Sequence, residues 1–256
     1  MMASFYSTIS YLYDSEHAEK TEDLALYSDF AAECGDPILI IGSGTGRIVL
    51  FLADEGYNVH GVEVEKAMLE KAQAKLDGSP HLADKVTFFH GDALKMDLLT
   101  KYKLIIVPYN TLMHFHSQEA HLGLLKRIKG WLAPDGMIII DLPNAGEAFA
   151  GMDSETLTLE RTFVDQETGN LIMQQSVSRL DRAEQIMYVT WIYDEISSDN
   201  LLYRTVAPMV IRYFFLPEMR LLLTAAGLTL DEVYGDFDDS PFEDGAPRMI
   251  VIARHA

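Results

Sequence analysis

The sequence predicts an α/β fold built on a doubly wound, mostly parallel seven-stranded sheet, with an antiparallel β insertion after the fifth strand. Three observations support this. Between residues 38 and 144, continuous Ile/Val/Leu runs alternate with amphipathic stretches, as strands of a parallel sheet covered on both faces would. The first of them, "PILIIGSGTGRIVLFL", reads as strand, glycine turn and helix. From about residue 150 to 215 the pattern changes to runs rich in β-branched and aromatic residues, separated by turn signals.

The elements follow in order. Residues 1–34 read as an N-terminal helical cap, ending at Cys34 before "GDP". "PILIIG" is a buried strand and "GRIVLFLADEG" a helix closed by Gly56. "NVHGVEV" is the second strand, and "EKAMLEKAQAKLDG" a charged amphipathic helix ending at Gly78. "KVTFFHGDA" and "KLIIVPYN" are the third and fourth strands. "SQEAHLGLLKRIKGWLAPDG" is a helix expected to stop at a Pro-Asp-Gly turn, and "MIIIDLPN" is the fifth strand. The insertion, residues 150–215, reads as a four-stranded meander through "LTLERTFVD", "NLIMQQSVSRL", "AEQIMYVTWIYDEI" and "LYRTVAPMVIRYFF". "LPEMRLLLTAAG" is a helix stopped by Gly227, and "LTLDEVYG" and "PRMIVIARHA" close the sheet. Residues 1–256 are expected to form one domain, without internal repeats or linkers.

Composition removes several function classes. Of 256 residues, 48% are hydrophobic, enough for a large packed core. The formal net charge of -19 opposes nucleic acid and anionic membrane partners, which are bound through Lys and Arg. The N-terminus lacks a basic n-region, and no apolar run approaches the roughly 18 residues of a bilayer span, so a cytoplasmic protein is expected. The single Cys34 suits a reducing compartment and is expected to be an inert thiol.

The glycine loop holds the first functional signal. Gly42, Gly44 and Gly46 end the first strand, where open α/β sheets bind ligands. The dinucleotide fingerprint G-x-G-x-x-G/A asks for a small residue where this chain has Arg47, and no Lys-Ser or Lys-Thr pair follows for a Walker loop. Glu63 ends the second strand and can accept hydrogen bonds from both hydroxyls of a ribose. Asp92 follows the third, placed to accept a hydrogen bond from an adenine amino group, with the Ala93 N–H beside it. In this order on consecutive strands they describe an adenosine site without a pyrophosphate cradle.

"ILIIGSGTGRI", "GVEVEKAML", "GDA" and "LIIVPYNTLMHF" resemble the successive motifs of class I S-adenosylmethionine-dependent methyltransferases, whose sheet is Rossmann-like. The likeness extends from "ISYLYD" to "YGDFDDSPFEDGAPRMIVIAR" and is closest to a small-molecule branch similar to bacterial sugar-amine N,N-dimethyltransferases. The resemblance implies S-adenosylmethionine as cofactor, with Gly42, Ser43 and Gly44 along its methionine and ribose part and Glu63 on the ribose hydroxyls. It places Val64 and Met68 around the adenine, Gly91, Asp92 and Ala93 at its edge, and Pro108 and Asn110 near the sulfonium. Tyr13 would cap the site. The chain departs from the family in having Glu63 where Asp is commoner and Ser43 where Cys or Ala is.

Methyl transfer from a sulfonium is an in-line displacement that asks mainly for alignment, so no sharp catalytic triad is expected. Tyr109 and His114 are the candidate catalytic residues for orienting a small-molecule acceptor on nitrogen or oxygen, with His114 able to take a proton. His116, His121 and Glu119 do not make a convincing metal set, and no metal is expected. Tyr234, Asp236 and Asp238 reach the same sheet edge but also read as an acidic loop. Arg212 reads as an anchor for an acceptor carboxylate or phosphate, or as a structural ion pair. In the insertion, Met187, Val189, Trp191 and Tyr193 share one face and Ile186, Tyr188, Thr190 and Ile192 the other, which suits a substrate lid, a homodimer surface or both. A non-catalytic cofactor-binding protein and an NAD-dependent oxidoreductase are the alternative readings.

Overall fold

The computed structural model describes residues 4–146 and 155–256, and the chain divides into two compact units. One unit comprises residues 21–148 and 214–256, the other residues 1–20 and 149–213.

The larger unit is the seven-stranded sheet. Its parallel strands are β1 (Ile38–Ile41), β2 (Val59–Glu63), β3 (Val86–His90), β4 (Tyr102–Val107) and β5 (Leu132–Pro143). β10 (Leu228–Tyr234) and β11 (Arg248–His255) complete it in the order β10-β11-β5-β4-β1-β2-β3, with β11 antiparallel to both neighbours. β1 pairs with β2 on one side and β4 on the other, so strand order reverses there. The crevice at the carboxyl ends of β1 and β4 is therefore the expected ligand position.

The apolar runs form strands because both faces are covered. All four residues of β1 are buried, as are Leu104 to Val107 of β4. The helices supply the covering faces. α2 (Leu24–Cys34) contributes Tyr27, Phe30 and Ala31, and α3 (Arg47–Asp54) contributes Ile48, Val49 and Leu52 to one core with Ile38, Ile40, Leu104, Ile106 and Ile139. Burying each such aliphatic side chain is worth about 1.5–3 kcal/mol. α4 (Lys66–Asp77) and α5 (Gln118–Trp131) follow β2 and β4, and the helix Leu216–Ala226 ends on Gly227 in the left-handed region at φ 75°.

One boundary differs from the expectation. The helix α5 stops at Trp131, yet Pro134-Asp135-Gly136 is not a turn but part of β5. The pairing steps from Tyr102↔Leu132 to Leu104↔Met137, so these residues form a bulge at the strand's start. A Cβ on Gly136 would lie 2.9 Å from the Tyr102 carbonyl oxygen, which is why glycine stands in the bulge.

The smaller unit joins α1 (Phe5–Glu16) to an antiparallel meander of β6 (Thr158–Val164), β7 (Leu171–Asp181), β8 (Ile186–Ile196) and β9 (Leu202–Arg212). Ser4 caps α1 by accepting the Ser7 N–H at 3.1 Å. Ile9 and Leu12 of α1 pack on Ile172, Tyr193 and Ala207, with Trp191 and Phe163 beside them. Tyr193 and Trp191 lie on the face predicted to carry them, while Tyr188 on the opposite face stays exposed under the Arg179 guanidinium. No helix among the described residues is long and apolar enough to cross a membrane.

Candidate active site

Four loops of the larger unit leave the carboxyl ends of β1, β2, β3 and β4 and build the site. The first is Gly42–Gly46. Its three glycines all have positive φ, at 74°, 56° and 85°. Gly42 and Ser43 donate their N–H groups to the Val62 carbonyl at 2.9 and 3.0 Å, which holds the loop against β2. Gly42 is required twice over, since a Cβ there would also fall 2.5 Å from Thr111 Oγ1. Gly46 is a packing glycine: a Cβ would lie 3.1 Å from that of Ala72 and 3.2 Å from the Phe88 ring. The close-approach role sought at position 47 is thus filled one residue earlier.

Arg47 instead reaches Asp23, just before α2, through a bidentate pair at 2.7 and 2.6 Å, with the Asp23 side chain fully buried. Lys75 donates to the Thr45 carbonyl at 3.1 Å. The two cations beside the loop are therefore engaged with protein groups.

Glu63 is buried at the end of β2. One carboxylate oxygen accepts the Gly44 N–H and the other the Glu65 N–H, both at 2.8 Å. Burial raises its pKa, partly offset by the N–H groups of Glu65, Gly44 and Val64. Each oxygen keeps a lone pair for a further donor. Val64, next to it, is 58% exposed, whereas Met68 is buried with its methyl group toward Gly44. Beyond β3, the Gly91 N–H is taken by the Glu63 carbonyl at 2.9 Å, which ties the third loop edge to the second. Asp92 accepts the Leu94 N–H at 2.9 Å and pairs with Lys95 at 3.0 Å; partial burial pushes its pKa up, but these partners hold it below the usual value. Ala93 is buried beside it.

After β4 the chain makes an unusual turn. Tyr109 and Asn110 both lie in the left-handed region, at φ 41° and 67°. Two consecutive non-glycine residues there cost roughly 1–3 kcal/mol each and mark functional sites. A short 3-10 turn, Thr111–His114, follows. Burial, with His116 as a smaller cause, holds the His114 imidazole down to about 4, so the ring is neutral at pH 7. His121 is buried on α5, bonded to the Phe115 carbonyl and edge-on to Phe214, a packing position.

The residues Gly42, Ser43, Gly44, Glu63, Val64, Met68, Gly91, Asp92, Ala93, Pro108, Tyr109, Asn110 and His114 thus lie at or just beyond the carboxyl ends of β1–β4 in one unit, with Glu63 closing β2 and Met68 at the start of α4. Tyr13 belongs to the other unit, on α1, stacked on His17 at 4.3 Å. Tyr234 ends the edge strand β10, three strands from β4 and so about 14 Å to its side. It packs near Phe30, and Asp238 caps its own loop through the Ser240 N–H. Two residues that sequence reasoning missed are Asp141 and Arg248. The Asp141 carboxylate, fully buried near the end of β5, takes Arg248 Nε at 2.9 Å and the Tyr109 N–H at 2.9 Å. No local motif signals a pair 107 positions apart.

Residues 38–136 match the methyltransferase domain family. The fold also superposes on the CcbJ methyltransferase from Streptomyces caelestis with a TM-score of 0.84 and 26% identity, covering 99% of this chain and 98% of that one. The chain therefore carries a methyltransferase domain, and its fold supports a class I S-adenosylmethionine-dependent methyltransferase. The cypemycin N-terminal methyltransferase of a Streptomyces species is 23% identical over 85% of this methyltransferase and 82% of its own length. CalS10, an amino pentose methyltransferase from Micromonospora echinaspora, shares the fold at a TM-score of 0.72 and 16% identity, covering 96% and 97% of the two chains.

The residues fit the cofactor. Glu63 offers two oxygens with spare lone pairs to a pair of ribose hydroxyls, and the Ser43 hydroxyl is buried without a partner among the described residues. Exposed Val64 offers an apolar surface to an aromatic base. A buried carboxylate beside cations that are already paired suits a cationic sulfonium better than a pyrophosphate.

Proposed function

We propose that this methyltransferase moves a methyl group to a nitrogen of a small molecule. S-adenosylmethionine supplies a methyl group already activated on a cationic sulfur. The chain's part is to hold the ribose at Glu63, to enclose the adenine with Val64, Met68, Gly91, Asp92 and Ala93, and to present the acceptor from the turn after β4. Gly42, Ser43 and Gly44 line the methionine side, and Pro108 and Asn110 the sulfonium end. Tyr109 and His114 orient the acceptor.

The choice of nitrogen is carried by the placement of His114, partly enclosed at the end of the 3-10 turn after β4, where burial lowers its basicity. An imidazole held at about 4 accepts hydrogen bonds at neutral pH but is a poor base for a hydroxyl. An amine needs no strong base, because its proton exchanges with water. The net charge of -19 also favours approach of cationic amines. The cypemycin N-terminal methyltransferase, by its name, supports the same direction.

Incubation with methyl-deuterated S-adenosylmethionine and a panel of hydroxylated amines and phenols tests this, read by mass spectrometry and NMR. Label on nitrogen is expected. Label confined to phenolic oxygen overturns the choice of nitrogen, and cofactor binding with no transfer to any acceptor supports the non-catalytic reading.

Self-association through the β insertion is the second part of the proposal. Val164, Leu171, Ile196 and Leu202 are aligned across all four strands, and the first two and the last are 57%, 41% and 57% exposed. Val206 adds to the same face, around the Asp194–Arg204 pair. Light scattering of the wild type and Leu202→Glu decides: a dimer reduced to monomer is expected, and a monomeric wild type refutes it.

A further inference from the structure

The strained turn after β4 is held from two sides. The parallel register sets Val107 of β4 beside Ile140 of β5, so the chain leaves β4 at the level of Asp141. Asp141 then takes both successive amides: its carboxylate accepts the Tyr109 N–H at 2.9 Å and its backbone carbonyl the Asn110 N–H at 3.0 Å. Arg248, the first residue of β11, lies diagonally across the antiparallel β5–β11 pair. Its Nε donates to Asp141 at 2.9 Å, and its Nη2 donates both to Asp141 and to the Asn110 side-chain oxygen at 3.0 Å. The guanidinium lies 5.6 Å from the centre of the Phe237 ring, and its own backbone N–H is fixed on the Gly235 carbonyl at 2.9 Å.

On the other side, Thr111 sits against the glycine loop, filling the space a Cβ at Gly42 would occupy. The turn therefore connects the Asp141–Arg248 pair to the loop that follows β1.

We propose that Asp141 and Arg248 are positioning residues of the cofactor pocket, holding Tyr109 and Asn110 in left-handed conformations and, through Thr111, fixing the span between the glycine loop and the β4 turn. A planar guanidinium is needed because one side chain must serve Asp141 and Asn110 together, which a lysine ammonium on a flexible stem does poorly. Asp141 is likewise specific: asparagine keeps an acceptor for the Tyr109 N–H but loses the charge that orients Arg248. The proposal rests on the S-adenosylmethionine assignment.

The test uses the full chain, S-adenosylhomocysteine as the calorimetric ligand, and amide hydrogen exchange over residues 108–112. Arg248→Met should weaken binding about tenfold, the loss of one charge-assisted hydrogen-bond set. Arg248→Lys should lie between it and the wild type, and Asp141→Asn should behave like Arg248→Met. Exchange at Tyr109 and Asn110 should rise in each variant while the rest of the sheet keeps its protection. Ile252→Val, a buried core change on β11, serves as a control that lowers the melting temperature without altering affinity or local exchange. If Asp141→Asn does not fold, the Arg248 pair of variants decides alone. A wild type that does not bind S-adenosylhomocysteine refutes the cofactor assignment itself. A wild type that binds, with Arg248 variants within twofold of it and unchanged exchange at residues 108–112, overturns the positioning role.

Discussion

Replacing Gly42 by alanine tests how tightly the glycine loop is specified. The residue has φ 74°, where a side chain costs roughly 1–2 kcal/mol. The added Cβ would also fall 2.5 Å from Thr111 Oγ1 and 2.6 Å from its Cγ2, contacts that force displacement at about 1–3 kcal/mol. Together the loss is about 2–5 kcal/mol, and for a chain of this size each kcal/mol lowers the melting temperature by roughly 2–4 °C. Differential scanning calorimetry should therefore show a drop of roughly 4–20 °C. The two contributions separate in a double-mutant cycle. Thr111→Ala removes the two overlapping atoms and leaves only a 3.1 Å contact, so Gly42→Ala should cost about 1 kcal/mol less in that background. A melting temperature for Gly42→Ala within about 1 °C of the wild type, or strict additivity in the cycle, refutes the reasoning.

Two further outcomes follow from the pairs and charges of the same unit. Asp23→Asn leaves Arg47 facing a neutral partner at a fully buried position and should cost about 3 kcal/mol in urea denaturation, while the double replacement Asp23→Leu/Arg47→Met should cost less than the single change. Asp23→Asn with wild-type stability contradicts the buried-pair account. His114 is lowered in the folded protein to about 4 from 6.5, so the unfolded chain binds more protons between these values and stability falls as pH drops through that window. About 2–3 kcal/mol should be lost between pH 7 and 4.5 on this account, and His114→Asn should flatten that slope. An unchanged slope in the variant refutes an imidazole held neutral by partial burial.

How much of this was legible in the sequence depends on the range of each signal. The succession of strands up to β5, the meander and the glycine loop rest on local patterns of a few residues, and the structure has them in the predicted places. Glu63 and Asp92 were visible because a parallel sheet puts successive strand ends at one edge. The partners of Arg47 were not: it was legible only as a residue too large for a packing position, whereas Gly46 fills that role against Ala72 and Phe88. Asp23 and Asp141 look like ordinary acids until the fold brings Arg47 and Arg248 to them. Pro134-Asp135-Gly136 has turn chemistry but lies in a strand bulge, because pairing to β4 overrides the local preference. The left-handed pair Tyr109–Asn110 carries only half a signal, since asparagine tolerates that region and tyrosine does not.

The central claim is that the glycine loop and Glu63 hold an adenosine bearing an amino acid rather than a dinucleotide. Isothermal titration of S-adenosylhomocysteine and of NAD into the wild type and Glu63→Gln measures it most directly. The account predicts binding of S-adenosylhomocysteine, a loss of about tenfold or more in Glu63→Gln as a charge-assisted acceptor becomes an amide, and no heat from NAD. Binding of NAD with no binding of S-adenosylhomocysteine, or an affinity untouched by Glu63→Gln, contradicts it.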